Sequence, residues 1–187
     1  MTEAPIKRFG TGIQGVWLFV PEIFQDERGL FKESYVRSKY RAAGLPDDFL
    51  QDNISLSKRN VVRGLHGDPE MSKLVQVLYG EAFDVVVDAR PQSPSFGKWE
   101  SFDLSAENHR QVYVPRGCLH GFQALSDGVV FSYKQTAEYD PRREIAVLWD
   151  DGSLDIAWPR KKEATVSQRD RNNKKFSEVC GGSSHSA

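Results

Sequence analysis

Short apolar segments recur along most of the chain and alternate with polar turns rich in Gly, Pro, Asn and Asp. Segments of this length and spacing are typical of β-strands in sandwiches and barrels. The strand-like segments are IQGVWLFV, LFKESYV, NISLS, NVVRGLH, KLVQVLY, AFDVVVDA, KWESFDL, RQVYV, GFQAL, VVFSYKQ and EIAVLWD. Only VRSKYRAAG has the character of a helix. The pattern predicts an all-β sandwich or barrel with a few short peripheral helices.

The domain organisation follows from the length and from a change in composition near the C-terminus. A chain of 187 residues can bury one sizeable core, and no internal repeat indicates a solenoid or propeller. We therefore expect a single domain over residues 1–170. After WPRKKE the sequence becomes polar and basic and ends in GGSSHSA, so residues 171–187 are predicted to form a flexible tail.

Composition and charge narrow the functional classes. The net charge is −1 and the pI is about 6.4, which gives no electrostatic attraction for a nucleic acid. The start MTEAPIKRFG lacks the apolar core of a signal peptide, and no apolar run approaches the ~20 residues of a membrane span. Cys118 and Cys180 form no CxxC pair. We expect a cytoplasmic protein with reduced thiols and no nucleic-acid or membrane partner.

Candidate chemistry concentrates in RGLHGDPEMSKLV, residues 63–75, where ionisable groups border two strand-like segments. His66 ends the first of these strands, and His120 lies in PRGCLHGF before another strand. A single histidine beside apolar residues is more often part of the core than a catalyst. Two histidines, each close to a glycine and flanked by Arg63 and Arg116, make a functional site as plausible as a structural role, so spacing alone leaves both interpretations open.

Strand parity predicts which of these side chains point inward. Arg63 and His66 differ by three positions, so a regular strand would place them on opposite faces, and both would reach one cavity only if Gly64 forms a bulge. Lys73 shares its parity with Val75 and Val77. It therefore points into the core, unless its position at the start of the strand lets the ammonium reach water.

Two other side-chain sets allow more than one interpretation. Tyr133 shares its parity with Val129 and Phe131, so its phenol is either an inward functional group or a packing residue with one satisfied hydroxyl. The segment PRGCLH resembles the second motif of cupin barrels, and nitrogen and oxygen ligands for a metal are available at His66, Asp68, Glu70 and His120. The first motif of metal-binding cupins has two histidines one residue apart, whereas here the second position is Asp68, which disfavours a metal site.

Several long segments in order resemble the dTDP-4-dehydrorhamnose 3,5-epimerase family. They run from about residue 13 to 170 and include NISLSKRNVVRGLH, KLVQVLYGEAFDVVVDARPQSPSFGKW, LSAENHRQVYVPRGCLHGF, YKQTAEYDP, LWDDGSLDIAWP and SQRD. The resemblance implies a cupin-type jelly roll, a homodimer, and an epimerase that uses no cofactor or metal. Its implied substrate is a nucleotide-linked 4-keto-6-deoxy sugar, most closely dTDP-4-dehydro-6-deoxy-glucose, a precursor of rhamnose.

The resemblance also implies roles for individual residues. His66 matches the family's base, and Asp170 of SQRD matches the carboxylate that holds its imidazole. Tyr133 matches the proton donor on the opposite face of the sugar ring. The keto group acidifies the hydrogens on carbons 3 and 5, but their removal still requires a positioned base, and the enolate that forms must be stabilised.

Further positions of the family's site are found in the sequence. Lys73 and Arg63 match the cations near the enolate, and His120 matches a polar residue of the same pocket. The motif DERGLFKES matches a segment that contacts the nucleotide and commonly reaches the neighbouring subunit's site. The remaining implied substrate contacts are Arg28, Phe31, Glu33, Asn53, Tyr139 and Glu144.

One departure from the family pattern leaves the substrate open. Only GDPEMS separates His66 from Lys73, whereas typical members have a longer connection. The form RGLHGD resembles a branch that processes GDP-linked 4-keto-heptoses, while DERGLF and HGF resemble the dTDP-sugar enzymes. The alternatives are therefore a different nucleotide, inversion at one carbon or at both, a metal-dependent cupin enzyme, a 3,4-ketoisomerase, and a sugar-binding cupin without activity.

Overall fold

The computed structural model describes residues 6–46 and 48–181 as strands joined by turns, with three short helices. The helices are α1 Arg37–Ala42, α2 Gln168–Arg171 and α3 Phe176–Cys180. The strands are β1 Ile6–Gly10, β2 Trp17–Pro21, β3 Ile23–Asp26, β4 Gly29–Lys32, β5 Gln51–Ser57, β6 Val61–Gly67, β7 Lys73–Tyr79, β8 Glu81–Asp88, β9 Trp99–Ser105, β10 Gln111–Val114, β11 Cys118–Ala124, β12 Val129–Gln135, β13 Ile145–Ala146 and β14 Thr165–Val166.

Two sheets form the body of the fold. Sheet I has the strand order β1-β2-β10-β7-β12-β5, and sheet II has the order β13-β6-β11-β8-β9. Neighbouring strands run antiparallel, except that β14 joins sheet II parallel to β6. Strands β3 and β4 form a separate hairpin. The predicted all-β sandwich is confirmed.

The main core lies between the two sheets. Alternate residues of each strand face this layer, as the period of two in the sequence predicts. The buried members are Ile13, Val16, Val75, Val77, Ala82, Val86, Phe102, Leu104, Val112, Val114, Cys118, Phe122, Ala124, Val129 and Phe131. This layer also positions the polar side chains that share the same parity.

The outer face of sheet II is covered by the C-terminal part of the chain. Trp149, Trp158 and Phe176 pack there against strand residues that include Val85 and Val87. Because β8 is buried on both faces, its sequence is nearly continuously apolar rather than alternating.

The predicted helix in VRSKYRAAG is confirmed as α1. Its Tyr40 is fully buried and packs on the outer face of sheet I with Phe19, Leu74 and Tyr113. The Tyr40 hydroxyl donates a hydrogen bond to the backbone oxygen of Ser34 at 3.1 Å. The helix is therefore fixed by one aromatic side chain rather than by its six-residue length.

The predicted flexible tail is wrong for residues 171–181. In this part α3 packs its buried Phe176 into the cluster on sheet II. The backbone N–H of Phe176 donates a 2.5 Å hydrogen bond to Asp151 Oδ2. The prediction failed because the segment is mostly polar in composition. Its attachment to the fold depends only on the side chain of Phe176 and on the hydrogen bond to Asp151. The rest of the predicted tail, residues 182–187, lies outside the described residues.

Two other expectations concern cysteines and membrane spans. Cys118 and Cys180 are both free thiols, as predicted. None of the helices in the described ranges is long and apolar enough to cross a membrane.

Candidate active site

A cavity of about 470 Å³ lies between the sheets and brings together most of the predicted chemistry. A volume of this size is typical of a small-molecule site. Sheet I contributes Lys73 and Tyr133, and sheet II contributes Arg63, His66 and His120. Asp170, from α2, lines the same cavity. Its apolar lining includes Val62, Phe122, Phe131 and Val166.

A bulge in β6 places Arg63 and His66 in the same cavity, as the parity argument requires. His120 pairs with His66, but Phe122 pairs with Arg63, so three steps along β6 match two steps along β11. Gly64 lies in the bulge with φ of +129°, and a Cβ there would stand 2.6 Å from the Cα of Gly121. The glycine is required because the two backbones approach so closely.

His66 and Asp170 form a direct pair although 104 residues separate them. Nε2 of His66 lies 2.6 Å from Asp170 Oδ1. The parallel pairing of β14 with β6 brings this segment beside the histidine, and the hydroxyl of Ser167 caps α2 by accepting the N–H of Asp170. Burial tends to raise the pKa of Asp170, but the hydrogen bonds from His66 and the Ser167 interaction outweigh it and lower that pKa below its ordinary value. The carboxylate is therefore ionised at neutral pH.

The second ring nitrogen of His66 forms no hydrogen bond with any residue that the structure describes. Its Nδ1 lies 3.7 Å from Glu144 Oε1, which is beyond hydrogen-bond distance. Glu144 is brought here because β13, the strand that follows it, pairs with β6. The carboxylate of Glu144 accepts a 2.9 Å hydrogen bond from the Tyr139 hydroxyl and forms an ion pair with Arg169. Nδ1 is thus the nitrogen that a ligand can reach.

Lys73 and Tyr133 face this histidine from sheet I. Lys73 lines the cavity, so the alternative in which it turns out to bulk water is wrong. Burial lowers the pKa of its ammonium, and the carboxylate of Glu144 is the largest opposing influence. Burial likewise raises the pKa of the Tyr133 hydroxyl, and the charge of Arg63 opposes that rise. Among the described residues, neither the Lys73 ammonium nor the Tyr133 hydroxyl has a hydrogen-bond partner, so both polar groups are available to a ligand.

The other predicted contacts lie at different distances from the cavity. Arg63 Nε donates a 3.0 Å hydrogen bond to Ser57 Oγ. Tyr139 and Glu144 border an adjoining recess that His66, Lys73 and Tyr133 also line. Asn53 is outside the lining and donates to Gln135 Oε1 at 2.8 Å.

The structure does not bring the hairpin residues into this chain's own cavity. Arg28 is exposed in the β3–β4 turn and pairs with Asp26. Phe31 is 64% exposed on β4, and Glu33 pairs with Lys39 beside α1. These three residues therefore contribute nothing to the site from within the same chain.

The side chains considered as metal ligands point to other partners. Asp68 and Glu70 both contact Arg143. His66 and His120 pair with different carboxylates. Within residues 6–46 and 48–181, no group of three or more His, Cys, Asp or Glu side chains is arranged to hold a metal ion.

Sequence reasoning missed two charged residues of the site. Asp84 on β8 pairs with His120, and its parity with Ala82 and Val86 in an apolar strand was the available signal. Arg169 lines the cavity and contacts Glu144. Nothing in its local sequence distinguishes it from the other basic residues of that stretch.

Comparisons with known proteins agree with this architecture. A family model described as dTDP-4-dehydrorhamnose 3,5-epimerase matches residues 10–178. The dTDP-4-dehydrorhamnose 3,5-epimerase of Salmonella typhimurium is 44% identical over 164 residues, covering 86% of this chain and 90% of that protein.

Solved structures agree as well. The dTDP-6-deoxy-D-glucose-3,5-epimerase of Legionella pneumophila, in complex with dTDP-4-keto-L-rhamnose, is 40% identical with a TM-score of 0.89, covering 93% of this chain and 94% of that chain. A 3'-monoepimerase from Streptomyces bikiniensis, in complex with dTDP, is 34% identical with a TM-score of 0.85, covering 92% and 89%.

Fold and similarity together define the class of the protein, an isomerase built on a cupin-type jelly roll. Both features were predicted from the sequence and are confirmed. The chain belongs to the dTDP-4-dehydrorhamnose 3,5-epimerase family.

Proposed function

We propose that the protein inverts carbons 3 and 5 of dTDP-4-dehydro-6-deoxy-glucose to give dTDP-4-dehydrorhamnose. The 44% identity to the Salmonella enzyme and the nucleotide-sugar complex of the Legionella enzyme support the substrate class. The observation that supports the chemistry best is the 2.6 Å His66–Asp170 pair in a cavity that Tyr133 lines from the opposite sheet. An acid and a base are thus available on two sides of one ligand.

Proton abstraction is assigned to Nδ1 of His66. Asp170 accepts the hydrogen bond at Nε2, fixes the ring and balances the charge of the imidazolium that forms. The electron pair of the broken C–H bond moves into the ring and places negative charge on the keto oxygen. Lys73 and Arg63 provide positive charge in the same cavity, where it stabilises that enolate more strongly than in water.

Tyr133 is assigned the delivery of the new proton. It is on sheet I, whereas His66 is on sheet II, so a ring bound between the sheets meets them on opposite faces. The raised pKa keeps the Tyr133 hydroxyl protonated at neutral pH. Return of a proton from the side of His66 would restore the starting configuration, whereas donation from Tyr133 inverts the carbon.

Replacing Lys73 with arginine should move the alkaline limb of the activity profile to higher pH. Burial lowers the pKa of Lys73 and raises that of Tyr133, so we expect Lys73 to lose its proton first as the pH rises. The enolate then loses its counter-charge, whereas an arginine remains charged. The measurement is the pH dependence of kcat/KM for wild type and Lys73→Arg, with Lys58→Arg as an exposed control. An unchanged limb in Lys73→Arg would contradict this role.

The substrate and the number of inverted carbons are tested together. Wild-type protein in deuterated water is incubated with dTDP-4-dehydro-6-deoxy-glucose or with a GDP-linked 4-keto-heptose, and the label is located by NMR. The proposal predicts deuterium at carbons 3 and 5 of the dTDP-sugar. Label at carbon 3 alone would identify a monoepimerase such as the Streptomyces relative, and reaction only with the GDP-sugar would refute the nucleotide assignment.

The exposed β3–β4 hairpin supports a homodimer in which each chain completes the site of the other. Its apolar side chains Phe24, Leu30 and Phe31 are 47%, 54% and 64% exposed. Arg28 at its tip contacts only Asp26 among the described side chains. An exposed apolar segment of this kind is typical of an interaction surface. We therefore assign Arg28, Phe31 and Glu33 to the nucleotide site of the partner subunit, while the cytoplasmic location stays a prediction.

Mixing two inactive variants should restore activity if the hairpin is exchanged. Arg28→Ala weakens the hairpin contact, and His66→Asn removes the base. A mixed dimer then contains one site with both groups intact, so random mixing should recover about a quarter of the wild-type sites. Sedimentation and exchange rates are measured before and after mixing. A dimer without recovery would show that the hairpin does not complete the partner's site, and a monomer would contradict the assembly itself.

A further inference from the structure

Asp84 is a carboxylate in the apolar core, where few polar groups are available to stabilise its charge. It lies on β8 with an exposed fraction of 0%, on the face of sheet II that points into the main core. The two residues of the same parity, Ala82 and Val86, belong to the apolar cluster between the sheets. A carboxylate in such a place costs several kcal/mol unless it is well paired.

The pairing of Asp84 is unusually sparse. Its Oδ2 lies 2.6 Å from Nε2 of His120, and its Oδ1 has no hydrogen-bond partner in the described part of the chain. Other buried carboxylates of this chain are different. Asp88 accepts hydrogen bonds from one arginine and two serine side chains, and Asp151 accepts them from the backbone N–H groups of Ser153 and Phe176. Those two carboxylates hold loops together, whereas Asp84 holds only a histidine of the cavity.

The register of sheet II puts this pair beside the His66–Asp170 pair. His120 and His66 are direct partners across β11 and β6, and Asp84 reaches His120 from β8 on the other side. Residues directly opposite in an antiparallel ladder have Cα atoms about 5 Å apart. Two histidine–aspartate pairs therefore lie side by side, and both histidines line the cavity.

The remaining nitrogen of His120 is the one that a ligand can reach. His120 lines the cavity, and no side chain or backbone group of the described residues forms a hydrogen bond with its Nδ1. The charge of Asp84 also acts on Lys73, the cation assigned to the enolate. Asp84 thus contacts His120 directly and acts more weakly on the Lys73 ammonium.

We propose that Asp84 is a positioning residue that acts through His120. Its carboxylate accepts the Nε2–H of the ring and directs Nδ1 to the sugar. It also balances the charge of a ring that enters the reaction with protons on both nitrogens, so that Nδ1–H donates a hydrogen bond to the keto oxygen as negative charge develops there. This inference rests on the proposed epimerase function and deepens it. It explains why a nearly unpartnered carboxylate is retained in the core.

The test compares kcat and KM of the variant Asp84→Asn with those of the wild-type protein. Asparagine has nearly the same shape and can still accept a hydrogen bond, but it cannot balance the imidazolium. We expect kcat to fall roughly 10–100-fold, as for other residues that orient a functional histidine, with KM changed less than about threefold. The double variant Asp84→Asn/His120→Ala should be about as slow as His120→Ala alone, because Asp84 acts mainly through that ring and its influence on Lys73 is smaller than those of Glu144 and Asp68.

A control variant and two contrary results separate the failure of this inference from the failure of the proposed function. Asp151→Asn removes an equally buried carboxylate outside the cavity and should lower Tm while leaving kcat unchanged. Wild-type kcat in Asp84→Asn, or losses that multiply in the double variant, would overturn the inference and leave the proposed function standing. A wild-type protein that does not epimerise dTDP-4-dehydro-6-deoxy-glucose would instead refute the proposed function.

A second measurement needs no altered carboxylate, in case Asp84→Asn does not fold. The ¹⁵N NMR spectrum of the histidine rings in wild-type protein should show a proton on Nε2 of His120, the nitrogen that faces Asp84. Comparison with His120→Ala assigns the signal. A neutral ring with the proton on Nδ1 and none on Nε2 would contradict the hydrogen bond to Asp84 and with it the proposal.

Discussion

His66→Asn should lose solvent exchange at both carbon 3 and carbon 5 of the sugar. Nδ1 of His66 is open to the cavity because Nε2 pairs with Asp170 at 2.6 Å, and we assign the removal of both protons to this nitrogen. His120 is assigned a hydrogen bond to the keto oxygen instead, so it should not replace the missing base. General-base catalysis of this kind contributes about 10²–10⁴ in rate, or about 3–5 kcal/mol of transition-state free energy. The measurement is the rate of deuterium uptake by the dTDP-sugar, followed by NMR.

Controls separate loss of the base from loss of the fold. Both His66→Asn and His66→Ala remove the Nε2 partner of the buried Asp170, so Tm is measured for each variant. His66→Gln carries its amide nitrogen at the distance of Nε2, so it can still donate a hydrogen bond to Asp170 while it removes the base. His109→Asn makes the same substitution in a loop outside the cavity, at φ of 55°, a conformation that asparagine tolerates well. It should exchange at the wild-type rate. Wild-type exchange in His66→Asn would remove His66 from the mechanism.

Tyr133→Phe should impair inversion much more than exchange. The variant retains the base, so deuterium still enters the sugar, but it returns from the side of His66 and preserves the starting configuration. We expect formation of the inverted product to fall by about 10²–10⁴. The change removes one hydroxyl that has no hydrogen-bond partner among the described residues, so Tm should change little.

The comparison needs both rates from one sample. NMR gives the total deuterium in the sugar and the fraction with inverted configuration. Tyr79→Phe removes a hydroxyl from a tyrosine that is 61% exposed and outside the cavity, and both of its rates should match wild type. Equal losses of exchange and inversion in Tyr133→Phe would show that Tyr133 contributes to proton removal rather than to delivery.

The strands that the sequence predicts well are those with one face or both faces buried. KLVQVLY, AFDVVVDA and VVFSYKQ became β7, β8 and β12 almost residue for residue. The first strand, Ile6–Gly10, has only one buried residue, so its sequence shows no alternation. EIAVLWD formed only a two-residue strand because the rest of it leaves sheet II to cover that sheet's outer face. Edge and covering segments depend on contacts that a local pattern does not contain.

Strand parity predicts where the side chains of site residues on strands point, but it gives no information on site residues outside the strands. The inward positions of Lys73 and Tyr133 and the bulge beside His66 follow from spacing and a glycine. Asp170 was predicted only from the family resemblance, since its contact with His66 depends on the β14–β6 pairing across 104 residues. Strand parity could also have identified Asp84. A carboxylate at an inward position of an apolar strand indicates a functional site as clearly as an inward lysine does.

The most direct test is a crystal structure of the protein with a dTDP-linked 4-keto sugar or a stable analogue. The account predicts that the ring lies between the two sheets, with His66 Nδ1 within about 3.5 Å of carbon 3 or 5 on one face. The hydroxyl of Tyr133 should approach the same ring from the other face. A sugar bound outside this cavity, or with both groups on one face, would contradict it.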